Sequence, residues 1–223
     1  MDWRPILKKI DAFFAPIYAI LPFTHYGLIM GLLRSHGKTI LDVGCADGAF
    51  MEFIINNSKE KIIPTGIDVF SPYLEKAKGR KIYKRLIKKD IKSLDKSIGR
   101  FDVVLCSQVI EHLTKKEGLK LINNLEKIAK RRIIFIIPVG GLPQDPYDGN
   151  PYQRHKSAWY PRDFKEKGYK IWGQGLRLLY GYGNRVRKLG PFSYVFSLVS
   201  FIFWPVLNLK PEWAIYMFCW KDN

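Results

Sequence analysis

Cysteine is scarce in this 223-residue chain: Cys45, Cys106 and Cys219 are far apart, odd in number and form no Cys-x-x-Cys pair. A disulfide framework and a cysteine zinc site are excluded on that count, and each cysteine lies in an apolar run, as buried free thiols in a reducing compartment do. The four histidines, His25, His36, His112 and His155, show no metal-ligand spacing, and no carboxylates cluster at a chelating one, so the sequence predicts no metal. Acidic residues are also few, 20 against 37 Lys and Arg, giving a net charge of +17. This excess favours an anionic partner, whether nucleic acid, an anionic membrane surface or a phosphorylated substrate, unless it serves only solubility. Internal repeats and low-complexity tracts are missing. No small-x-small cleavage site follows the apolar N-terminal stretch, so no signal peptide is expected there.

What is present fits one domain. Residues 1–36 are apolar and aromatic, broken by Pro5, Pro16 and Pro22. Helical spacing at Phe13, Ile17, Ile20 and Leu21, then at Leu28, Ile29, Leu32 and Leu33, predicts short helices as a prelude to a domain over 37–223. From Lys38 strands and helices alternate. Strands are predicted at Lys38–Val43, Ile62–Ile67, Ile82–Lys88, Phe101–Cys106 and Ile133–Ile137, the last stopped by Pro138. Helices are predicted over 47–57, Ser71–Lys78 and Thr114–Lys130, the last opened by the capping box Thr114-x-x-Glu117. Strands apolar throughout and separated by helices mean a parallel sheet covered on both faces. A long loop runs to Trp159, followed by a short helix (Pro161–Lys167), a strand (Tyr169–Gln174), an apolar and basic segment (177–210) and a closing strand (Trp213–Lys221).

The strongest motif is ILDVGCADGAF, residues 40–50, in which a strand ends at Val43, turns through Gly44, Ala46 and Gly48, and enters a helix. Such a turn brings backbone close to a ligand, although Gly44-x-Ala46-x-Gly48 lacks the spacing of a strict dinucleotide fingerprint. Asp68 ends the second strand in GID, where a carboxylate accepts from ribose hydroxyls. Asp90 follows the third strand in KKDI, and FDVVLCSQVIEHL (101–113) carries the fourth strand into the next helix. Each acidic residue lies just past the carboxyl end of a parallel strand, where open α/β sheets bind ligands.

With these segments the chain resembles the class I S-adenosylmethionine (SAM)-dependent methyltransferases, in particular the type-11 group that includes ubiquinone- and menaquinone-biosynthesis enzymes. The resemblance is close over residues 38–138 and looser beyond. It implies a Rossmann-like three-layer α/β sandwich whose mostly parallel seven-stranded sheet ends in an antiparallel strand, with 177–210 inserted between strands six and seven. It implies SAM as cofactor, with Asp42, Gly44, Cys45, Ala46 and Gly48 around its methionine and ribose portions. Asp68 with Val69 would hold the ribose, Asp90 with Ile91 would flank adenine, and Ser107 and Gln108 would line the methyl side. Ala46 departs from the family, which usually has glycine there.

Methyl transfer from a sulfonium needs positioning first, and a base only where the acceptor must lose a proton. His112 in IEHL and His155 in the loop NPYQRHKSAWYPRDF are the candidates, each with a structural alternative at a helix start or in a surface loop. Tyr152, Trp159 and Tyr160 either wall the substrate or pack that loop. The motif of amino methyltransferases acting on bases, Asn/Asp-Pro-Pro-aromatic, is replaced by Cys106-Ser107-Gln108-Val109, and no Pro-Cys nucleophile pair occurs. RNA ribose or cap methylation stays open as an alternative, as does a non-catalytic SAM-binding role.

The apolar ends point to a lipid. No charged residue lies between Lys188 and Lys210, and Phe192–Trp204 falls short of the roughly 20 residues needed to span a bilayer. Ser193, Ser197 and Ser200 make a narrow polar stripe, and Arg177, Arg185, Arg187 and Lys188 precede the run, suited to lipid phosphates. The expectation is a cytoplasmic enzyme at the inner membrane face, acting on a lipid or lipid-linked small molecule, with 177–210 dipping into one leaflet. The competing reading packs these segments as a lid or a dimer interface.

Overall fold

The computed structural model describes residues 24–146, 148–180 and 199–223. Its seven strands are β1 (Thr39–Val43), β2 (Ile63–Asp68), β3 (Arg85–Lys88), β4 (Phe101–Ser107), β5 (Ala129–Pro138), β6 (Lys170–Leu176) and β7 (Ala214–Asp222). The described helices are α1 (His25–Leu33), α2 (Ala49–Asn57), α3 (Ser71–Gly79), α4 (Lys115–Ile128), α5 (Pro161–Lys165), α6 (Arg177–Tyr180) and α7 (Trp204–Leu209). The sheet order is β3-β2-β1-β4-β5-β7-β6. Neighbours from β3 to β5 are parallel, while β7 runs antiparallel to both β5 and β6.

The strands read as apolar throughout because both faces of the sheet are covered. Successive side chains point to opposite faces. Ile40, Val103, Leu105, Ile134, Ile136 and Phe218 pack with Leu28, Ile29 and Leu32 of α1 and with Met51 and Ile54 of α2. Leu41, Val43, Val104, Cys106, Ile133, Phe135 and Ile137 pack on the other side with Leu121, Ile122, Leu125 and Ile128 of α4. Each such side chain contributes about 1.5–3 kcal/mol of burial. The predicted stripe Leu28, Ile29, Leu32 and Leu33 is the buried face of α1, which Thr24 caps by accepting from the Gly27 N–H at 2.9 Å. The earlier stripe, Phe13 to Leu21, lies outside the described residues.

Two boundaries differ from the sequence reading by more than two residues. β3 is only four residues long, because Lys81 turns left-handed (φ 57°) and Ile82 and Tyr83 pack against the core before pairing begins. At the other, α4 ends at Ile128 and β5 starts at Ala129 with no loop between, so Lys130, Arg131 and Arg132 belong to the strand. Arg132 is buried there. Its guanidinium donates to Asp222 Oδ1 at 2.6 Å and to the Leu32 carbonyl at 2.8 Å, which satisfies the charge and ties α1 to β7. The capping box at Thr114 is formed, with Glu117 Oε2 accepting from the Thr114 N–H at 2.9 Å.

The long loop after β5 is held at its far end by Trp159, which is fully buried. Its indole N–H donates to Ser157 Oγ at 2.9 Å, and Lys115 Nζ sits 3.8 Å from the ring centroid. Trp159 therefore packs the loop and does not wall a ligand. In the 177–210 segment, Arg185, Arg187, Lys188, Ser193, Ser197 and the apolar stretch from Phe192 to Leu198 lie outside the described residues. Ser200 points inward and accepts from the Leu176 N–H, and Arg177 donates to the Val139 carbonyl at 2.6 Å. Among the described residues no helix is long and apolar enough to cross a membrane.

Candidate active site

The carboxyl ends of β1, β2 and β4, with the residues after β3, open onto one cavity of about 340 Å³. Ten residues that the sequence singled out line it together: Gly44, Ala46, Asp68, Val69, Asp90, Ile91, Ser107, Gln108, His112 and His155. Asp42, Cys45 and Gly48 do not line it; they build the turn from behind.

The turn is specified by backbone sterics. Gly44 has φ 71°, and a Cβ there would come within 2.4 Å of Val109 Cγ2. Gly48 caps α2 in the left-handed region, and a Cβ there would meet the Tyr83 ring at 2.9 Å. Ala46, at φ 46°, occupies a left-handed position too, which explains why glycine is usual there. A non-glycine residue in that region costs roughly 1 kcal/mol. Asp68 offsets this strain: its Oδ2 accepts from the Ala46 N–H at 2.9 Å, and its Oδ1 from the Phe70 N–H at 2.8 Å. Each oxygen keeps a further lone pair, the arrangement that two ribose hydroxyls require.

Asp90 is oriented by its own turn, accepting from the Lys92 N–H at 2.9 Å, with Lys92 Nζ 3.4 Å away. Gln108 is strained (φ 56°), its backbone N–H donates to the Ile136 carbonyl, and its side-chain Nε2 is buried without a partner. A carboxylate pair on the wall, an orphaned amide donor and a glycine turn together fit a nucleoside-bearing cofactor such as SAM.

Asp42 is buried beneath the turn. Burial pushes its carboxyl up to about 6; the Tyr83 hydroxyl, donating at 2.6 Å, draws it back, and the Asp68 charge raises it further. A carboxyl with a raised folded pKa binds a proton more readily when folded, so stability falls as pH rises through the interval from about 4 to about 6. The cost at neutral pH is about 3 kcal/mol. Asp42→Asn should therefore melt higher than the parent at pH 7.5, by roughly 5–10 °C, with the difference vanishing near pH 4; thermal melts across that range check this.

Sequence reasoning missed Glu111, which lies at the opposite end of the cavity. It is only 1% exposed, and burial pushes its carboxyl up to about 8 against the pull of the Glu111 and Val109 backbone N–H groups. His112 and His155 stand beside it, their rings 4.8 Å apart and edge-on. Burial, with the His155 charge, draws His112 down to about 4, and burial lowers His155. The loop brings His155 here by backbone hydrogen bonds: the Lys156 and Ser157 N–H groups both donate to the Glu111 carbonyl, and the His155 N–H to the Gln144 carbonyl. Linear spacing predicted no metal-ligating set, yet one ligand atom from each of Glu111, His112 and His155 lies within 4.8 Å of the others. The third member arrives through the fold. Of the three aromatic candidates, Tyr152 lines the cavity, while Trp159 and Tyr160 do not.

Residues 40–132 match the methyltransferase domain family. The chain is 25% identical over 170 residues to the chloroplastic magnesium protoporphyrin IX methyltransferase of Arabidopsis thaliana, covering 70% of this chain and 54% of that one. It is 31% identical over 132 residues to a ubiquinone biosynthesis O-methyltransferase of Coxiella burnetii, covering 57% and 52%. The chain thus spans about half the length of the curated relatives it matches. Among solved structures, the plantazolicin methyltransferase BpumL in complex with SAH and a substrate analogue superposes with a TM-score of 0.56 at 18% identity, over 99% of this chain and 89% of that one. The magnesium protoporphyrin IX methyltransferase of Synechocystis with bound SAH gives 0.52 at 14%, over 88% and 80%. By its matched domain, its sheet order and the place of its cavity, the chain has the Rossmann-like methyltransferase fold and is similar to the class I SAM-dependent methyltransferases.

Proposed function

We propose that the chain transfers a methyl group from SAM to a lipid or lipid-linked small molecule at a membrane surface. The observation that carries the reading is the single cavity with two unlike ends. One end presents Asp68, Asp90 and the Gly44–Gly48 turn to a nucleoside; the other presents Glu111, His112 and His155 to whatever accepts the methyl group. SAM supplies an electrophilic methyl on a sulfonium whose departure needs no acid, so the protein's work is alignment and removal of water. Asp68 and Asp90 fix the nucleoside, Ser107 and Gln108 flank the transfer path, and His112 and His155 receive the polar end of the acceptor.

Support for the lipid comes from the surface. The net charge of +17 suits an anionic bilayer. Leu178, Ile202, Leu209 and Trp213, on either side of the 181–198 stretch, are 56% to 87% exposed. The relatives named above act on quinone and porphyrin compounds by name, which fits an apolar small-molecule acceptor.

The test is incubation with methyl-labelled SAM and separate lipid and RNA fractions, alongside flotation on anionic vesicles. Label in the lipid fraction, with salt-sensitive flotation, is expected. Label in RNA would replace the lipid with a nucleic-acid acceptor, and failure to float at low salt would remove the membrane surface from the reading.

A further inference from the structure

We propose that the groove between α3 and β3, at the edge of the sheet, binds a ligand that carries a phosphate ester or a diphosphate. The site lies outside the methyl-transfer cavity, and its measurement does not rest on the methyl-transfer reading.

The net charge of +17 gathers in one place. A second cavity, of about 420 Å³, lies behind the cofactor turn and shares no lining residue with the cofactor cavity. Five cations line it, Lys78, Lys81, Lys84, Arg85 and Lys88, against the lone carboxylate of Glu75. None of the five makes an ion pair or a side-chain hydrogen bond with another described residue. Neighbouring cations differ in this respect. Arg80 turns away to Asp47 and Glu52, and Arg132 reaches Asp222 at 2.6 Å. Like charges crowded into one concavity repel each other and gain the fold nothing; a bound anion removes that repulsion.

The backbone sets the cations around the groove. α3 ends at Gly79, and the chain reverses through Arg80 and Lys81. Lys81 has φ 57°, the left-handed conformation that usually falls to glycine after a helix, and its N–H donates to the Lys78 carbonyl at 3.1 Å. Leu86 and Lys88, two apart in β3, share one face of the strand. Two structural explanations cover part of the cluster. Lys78 complements the dipole at the end of α3, and Arg85 and Lys88 guard β3, whose outer side has no strand partner among the described residues. Neither explains Lys81, nor the convergence of all five on one cavity.

The lining also defines the ligand. Lysine ammoniums hold phosphate as point charges, and Arg85 adds a planar fork for two of its oxygens. Leu74, Ala77, Leu86 and the Tyr83 ring supply an apolar lining. A cavity of this size holds more than a bare phosphate, and the apolar lining suits the carbon part of the ligand.

Pyrophosphate is the probe, titrated by calorimetry into the intact chain at low salt, with and without saturating SAH. One pyrophosphate per chain should bind, with the same affinity in both conditions. Lys81→Gln combined with Arg85→Gln should weaken it by about tenfold or more. Lys116→Gln combined with Lys120→Gln removes the same charge from exposed positions on α4 that line neither cavity, and should change it less than about twofold. Both double variants should melt as the parent does. Equal losses in the two double variants would show a diffuse charge effect and overturn the site. Competition by SAH, or no saturable binding to the parent, would overturn it too. Phosphatidylcholine vesicles carrying phosphatidic acid separate a lipid headgroup from a soluble phosphate ester. They displace pyrophosphate from the parent in the first case and leave it bound in the second, and the site stands in both.

Discussion

Asp68→Asn should weaken SAM binding by about a hundredfold while the chain stays folded. The carboxylate does two jobs at once. It accepts from the Ala46 and Phe70 N–H groups, and its remaining lone pairs face the cavity. Asparagine keeps one oxygen acceptor and turns the other into a donor, so it loses one backbone bond and one ribose bond. Hydrogen bonds to a charged group are worth about 1.5–3 kcal/mol each. The ribose bond alone is roughly ten- to a hundredfold in affinity, and loss of the Ala46 or Phe70 bond loosens the turn that the cofactor occupies. Calorimetric titration with SAH reads the affinity, and circular dichroism reads the fold. A folded variant that binds SAH as the parent does would remove Asp68 from the cofactor site.

Gly44→Ala should be nearly as damaging, by steric means. The new Cβ would fall 2.4 Å from Val109 Cγ2 and 3.3 Å from Cγ1, and the position demands φ 71°. Neither neighbour yields freely, since Val109 is buried and leads into the Ile110–His112 turn. Displacing it would disturb both ends of the cavity together. The expected outcome is a loss of about 2–3 kcal/mol in stability and a tenfold or greater loss of SAH affinity. Val109→Ala added to Gly44→Ala should recover part of both losses by opening space, leaving only the backbone strain. Urea melts and calorimetry on the two single variants and the double variant measure that coupling. Strictly additive effects would show that the Gly44–Val109 contact is not the cause.

The cofactor end was legible because its meaning is local. A strand, a turn needing left-handed backbone and a helix are written in consecutive residues, and the acidic residues past later strands fall in line because parallel strands all end on one side. The two-sided cover of the sheet was legible for a similar reason, since strands apolar throughout must be buried on both faces. The acceptor end was not. Glu111 looks like any glutamate at a helix start, and what sets it apart is its burial, which no spacing records. His155 reaches His112 only because the loop donates backbone N–H groups to the Glu111 carbonyl. Tyr83 was read as part of a strand, yet its hydroxyl is the partner of Asp42. Arg132 fell between the predicted helix and strand, because the sequence could not show that Asp222 and the Leu32 carbonyl would meet it inside the fold.

The sheet order also has a bearing on how the chain is made. β6 leaves the ribosome before β7, yet among the described residues its only partner in the sheet is β7, and β7 is also what covers the open edge of β5. Until residues 214–222 emerge, β5 presents an apolar, unpaired edge, and β6 has nowhere to dock. Strands one to five pair with neighbours already synthesised, so a nascent chain can complete that half early. The remainder closes in one late step that depends on the C-terminal strand. A chain interrupted before residue 214 would lose two strands of the sheet, not one, and expose β5 as a template for pairing with other chains.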